Sequence, residues 1–147
     1  MKRKPTQHEL TDPKAAYHYA YDVIKGRWEQ GEPIIANDPY WAYSYAIDVI
    51  EGRFEIAESI IAKNPQYACA YCVRVLRRRW KQAEPIIMTD QYYAYMYAKN
   101  VLNFGSQYVH FYIKCIENNV LTIHDLPQEL HDNEDIQVAY FKAKVLK

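Results

Sequence analysis

The chain is predicted to be all-α: a short α-solenoid of about four 26-residue helical hairpins, closed by a helical C-terminal cap. Three observations lead there. The phrase "YAYDVIKGRW" at 19–28 returns as "YAIDVIEGRF" at 45–54 and as "YCVRVLRRRW" at 71–80, a spacing of 26 residues each time. Cutting before Asp12, Asp38, Asn64 and Asp90 gives units of 26, and the first two agree at 16 positions, far beyond the one or two expected by chance. Within each unit the apolar residues recur at helical spacing, and self-similarity of this period marks units that bury their apolar faces only against neighbours.

Each unit opens with Asp or Asn before Pro, as at Asp12-Pro13, Asp38-Pro39 and Asn64-Pro65. The acid or amide side chain caps free amides, and proline fits the first helical position. Ala16, Ala20, Val23 and Ile24 then form one stripe of a first helix. Gly26 and Gly52 are expected to end it in the left-handed conformation. Unit three carries Arg78 there, so the turn is either strained or the helix runs longer. A second helix of about nine residues follows from the stripe Trp28, Gly31, Ile34, Ile35 and its counterparts. Pro33 and Pro85 fall about six residues into it, which means a kink or a later start. The fourth unit keeps Ala94, Tyr97, Ala98, Val101 and Leu102 but has Phe104-Gly105 at the turn. The division is a flexible N-terminal tail over 1–11, four hairpins over 12–115 and a cap over 116–147.

This pattern resembles a helical repeat of proteins from large bacteriophages and other large DNA viruses, in which "YA.DVI.GRW..AE.II" phrases recur. The resemblance covers 12 to about 102. It implies α-helical repeats and a viral origin, and no particular activity.

Lysine plus arginine and aspartate plus glutamate number 18 each, so a charged partner is read by a local patch and not by net charge. No apolar run has the length of a signal sequence or a membrane span, and three cysteines suit a reducing compartment; the expected location is the cytoplasm, the host's if the chain is viral. Arg27 with Glu32, Arg53 with Glu58 and Arg79 with Glu84 both point toward the core on helical wheels, predicting a ladder of charged pairs. The competing reading is a row of arginines gripping phosphates. Tyr19, Tyr45, Tyr71 and Tyr97 hold equivalent places, as an aromatic stack between helices or as platforms for bases.

"RVLRRRWK" at 74–81 is the strongest departure from neutrality. Where it has Arg74 and Arg77 the first two units have Asp22, Asp48, Lys25 and Glu51, so the fold does not require these arginines. Three readings stand: a solvated helix end, a surface for an acidic protein, or a nucleic-acid contact. Cys69 and Cys72 substitute for tyrosine and alanine in a packed column, and no second pair of ligands accompanies them, so neither metal nor cofactor is expected. His8, His18, His110, His124 and His131 form no catalytic pattern, and no glycine-rich phosphate loop exists. The expectation is a non-enzymatic interaction protein acting by occlusion or scaffolding, with a protein partner, an acidic one if the basic patch is used. Arg74, Arg77, Tyr92 and Met96 are its candidate contacts. The alternative is a nucleic-acid binder using 74–81 and nearby aromatics.

Overall fold

The computed structural model describes residues 1–146. Among them are ten α-helices and no strand. In the 26-residue units the helices are α1 (Pro13–His18), α2 (Glu32–Ile35), α3 (Pro39–Tyr45), α4 (Glu58–Ile61), α5 (Pro65–Tyr71), α6 (Glu84–Ile87) and α7 (Gln91–Asn100). Then come α8 (Val109–Glu117), α9 (Gln128–His131) and α10 (Glu134–Val145). The caps form as expected: the side chain of Asp12 accepts from the Ala15 amide, Asp38 from Tyr40 and Trp41, Asn64 from Gln66 and Tyr67, and Asp90 from Tyr93.

The ends of the first helices differ from expectation. Each of α1, α3 and α5 runs on into a wider π-helical turn, over Tyr19–Ile24, Ala46–Ile50 and Cys72–Leu76. The left-handed residue that closes it is Lys25, Glu51 or Arg77, one place before the glycine position. The amide of that residue bonds the carbonyl five positions back, at Ala20, Ala46 or Cys72, and the chain reverses there. Arg78 is therefore neither strained nor helical, because the demanding conformation has already been taken by Arg77. Unit four keeps the same device without the sequence: Asn103 and Phe104 are both left-handed, and the Phe104 amide bonds the Ala98 carbonyl as the Gly26 amide bonds that of Ala20.

The second helices are also shorter than expected, at four residues. They start at Glu32, Glu58 and Glu84, so Pro33 and Pro85 occupy the first turn, where proline breaks no bond. The residues before them form tight turns, 3₁₀ in units two and three.

Neighbouring first helices pack in order, α1 on α3, α3 on α5 and α5 on α7, each with its own second helix and the preceding one against it. Small residues line the contact: Ala16, Ala42, Ala68 and Ala94 are fully buried, as are Ala20, Ala46, Cys72 and Ala98. Without bulk there, the backbones approach closely, and Ile35, Ile61 and Ile87 fill the space beside them. The boundary drawn at 115 falls inside α8, whose Phe111, Tyr112, Cys115 and Ile116 make one buried stripe packed on α10. Three residues of 1–11 contact the first unit. Leu10 packs on the core, Tyr19 donates its hydroxyl proton to the Arg3 carbonyl, and Lys2 reaches the carbonyl of Ile24.

Candidate functional site

The repeated arginine, glutamate and tyrosine come together as one unit of chemistry, three times. Arg27 donates through Nε to Glu32 Oε1 at 2.5 Å and through Nη2 to Oε2 at 3.1 Å. Tyr45, from the next unit, donates its hydroxyl to the same Oε1 at 3.2 Å and accepts the Trp28 amide at 2.7 Å. Arg53, Glu58, Tyr71 and the Phe54 amide repeat the arrangement, with 2.9 Å for both guanidinium bonds. Arg79, Glu84, Tyr97 and the Trp80 amide repeat it again. The tyrosine thus clamps two units together while satisfying a buried amide that the turn leaves free.

The charged ladder exists, but the guanidinium is not inside. The Arg27 side chain is 56% exposed against 8% for Glu32, so the carboxylate is the buried member and the arginine covers it from the rim. This follows from reach: the turn at 25–28 puts the arginine stem at the surface, and only its fork folds back. Two of the five guanidinium N–H donors are committed to glutamate, whose carboxylate also offsets the charge that would attract a phosphate. Tyr45, Tyr71 and Tyr97 are fully buried, and burial pushes the Tyr45 hydroxyl up to about 12, with Tyr71 and Tyr97 raised for the same reason. At Tyr19, in unit one, residues ahead of the first helix stand in the place of the clamp. Arg3 substitutes, paired with Glu9 and standing 4.8 Å over the Tyr19 ring, and this pairing holds the Glu9 carboxyl down at about 2.

The π-helical turns that end the first helices carry the variable residues. Arg74 and Arg77 are exposed and line one open depression of about 720 Å³ together with Ile47 and Glu51. A similar depression between units one and two is lined by Tyr21, Asp22, Lys25, Asp48 and Glu51. The rim thus changes from mixed and acidic to basic along the molecule. Two contacts that sequence reading missed run across it. The Tyr17 hydroxyl donates to Asp48 Oδ2 at 2.9 Å, and at the equivalent place Tyr43 accepts from Arg74 Nη1 at 3.4 Å. A phenol both donates and accepts, so the same position tolerates either sign of charge. The column stops where Cys69 replaces the tyrosine and Asn100 the charge; Asn100 turns back to the Met96 carbonyl.

Tyr92, 63% exposed at the first turn of α7, does not join that depression. Met96 is half-buried and packed against the core, onto which a flexible thioether readily folds. Among the described residues Arg77, Arg78 and Lys81 make no ion pair. Cys69 and Cys72 are buried free thiols, Cys69 pushed up to about 11 by burial, and no group of metal-ligating side chains occurs among the described residues. No helix among them is long and apolar enough to cross a membrane. The chain matches no protein-family model, no curated protein and no solved structure.

Proposed function

We propose that the protein is a non-enzymatic interaction module, a short α-solenoid that presents the ends of its first helices to an acidic protein partner. One observation carries the reading: Arg74 and Arg77 share one open depression with their charges exposed, at positions where other units do without an arginine. Side chains that the fold does not need, held on a scaffold clamped at every junction, are what a specific surface requires, and arginine is a common anchor of interfaces. Binding there acts by occlusion or by scaffolding. The resemblance to helical repeats of large bacteriophages supports a host protein as the partner and the host cytoplasm as the place.

The nucleic-acid reading has its cations in Arg74, Arg77, Arg78 and Lys81, but Trp80 within the stretch and Tyr71 before it are buried, and Tyr43 beside Arg74 is only partly exposed. Capture from host lysate by the intact chain and by the double variant Arg74→Glu, Arg77→Glu separates these readings. A protein retained by the first and lost by the second is the expected result. Retention of nucleic acid alone, weakening steeply as salt rises, refutes it.

A further inference from the structure

The last helix is apolar on two opposite sides. Ile136, Ala139, Tyr140 and Ala143 face α8 and the turns beside it, with Ile136 and Ala139 buried. On the reverse side Val138, Phe141 and Val145 stand 50%, 68% and 63% exposed, spaced three and four residues apart so that they form one stripe. Elsewhere the exposed large apolar residues, such as Tyr21, Ile56 and Tyr92, are scattered on different units. A helix apolar on every side is ordinarily a covered one.

What covers it is indicated by charge. Glu134 and Asp135 begin α10, while Lys142 and Lys144 end it. Glu134, Gln137 and Lys142 flank the stripe around the shallow depression at Val138 and Phe141. Such a helix complements itself when a second copy runs antiparallel: Val138 meets Phe141 of the other copy, and Glu134 comes within reach of the other copy's Lys142, twice by symmetry. The two helix dipoles are also opposed in this arrangement.

We infer that the exposed face of α10 is a self-association surface, on which two copies of this chain pair antiparallel through Val138, Phe141 and Val145, with Glu134 of each copy set against Lys142 of the other. One helix pair buries less than the roughly 800 Å² per partner of a standard interface, so the dimer is weak and concentration-dependent. The surface is separate from the Arg74 and Arg77 depression, and a dimer would present that depression twice.

Sedimentation equilibrium of the full chain over a wide concentration range tests this. The native chain is expected to dimerise reversibly, with Phe141→Asp and the milder Phe141→Ala each weakening the dimer about tenfold or more while leaving helix content unchanged. Glu134→Lys and Lys142→Glu should each weaken self-association, because each sets like charges together. An equimolar mixture of those two variants should form a heterodimer, since both of its charge pairs are then opposite. A chain that stays monomeric at millimolar concentration, a dimer indifferent to Phe141→Asp, or a mixture no more associated than its components overturns the inference.

Discussion

At the junction of units three and four the Tyr97 hydroxyl is held by Glu84 and by the Trp80 amide, with Arg79 behind the carboxylate; further along, Tyr112, equally buried, has the Gly105 carbonyl as its hydrogen-bond partner. The first arrangement occurs at three successive junctions. The second belongs to the region where the sequence spacing of 26 has lapsed. The difference tracks helix length. The second helices α2, α4 and α6 have four residues each and small apolar faces, so a polar clamp built on their first residue, Glu32, Glu58 or Glu84, fixes their register against the next first helix. In α8 and α10, of 9 and 12 residues, a continuous apolar stripe supplies the same fixing without a buried charge. Even so the aromatic partner is kept: Phe111 packs on the Tyr97 ring at 5.4 Å, as Phe54 packs on Tyr45 and Trp80 on Tyr71.

If the closing region is held by apolar burial, Phe111→Ala should be the most damaging of the changes considered, at about 4 kcal/mol in denaturant unfolding. Tyr97→Phe keeps the ring and strips only the clamp; the buried Trp80 amide loses its acceptor, and a loss of about 2 kcal/mol is expected. Base should open the same junctions selectively. A phenol titrating higher in the folded chain than in the unfolded one holds its proton more tightly when folded, so its stabilisation is whole below pH 10 and falls as pH climbs through about 12, the window set by Tyr45. Unfolding measured across that window should fall less steeply in Tyr45→Phe than in the native chain. Tyr112→Phe removes one ordinary hydrogen bond and should cost about 1 kcal/mol; a loss as large as that of Tyr97→Phe would erase the contrast between the two regions. Smallest is Arg77→Gly, which relieves a left-handed residue and should raise stability by about 0.5 kcal/mol, whereas Arg78→Gly should not. Because Arg77 is also a proposed contact, that variant should fold better and bind worse.

Much of this was legible in the residues. The cap at each Asp or Asn, the paired arginine and glutamate, and the column of small residues all follow from local spacing, because both members lie in one unit or at one repeated position. The place of the left-handed residue was not legible. Glycine is the cheapest residue for that conformation, yet Lys25, Glu51 and Arg77 adopt it, since the bond from the amide of each to the carbonyl of Ala20, Ala46 or Cys72 sets the reversal there. Of the candidate contacts, Arg74 and Arg77 come together because they belong to the same helix end. Tyr92 and Met96 were grouped with them by wheel position alone, and neighbouring units separate what the wheel places on one side.

The sequence by itself determined that the chain is helical, where each first helix begins, and which arginine answers which glutamate, for these depend on residues close together in the chain. Only the tertiary structure decided that a tyrosine 13 residues past the glutamate completes the pair from the next unit, and that the carboxylate, not the guanidinium, is the buried charge. Those outcomes depend on how one short helix lies against the next, and a periodicity fixes which side of a helix is covered without fixing what touches it.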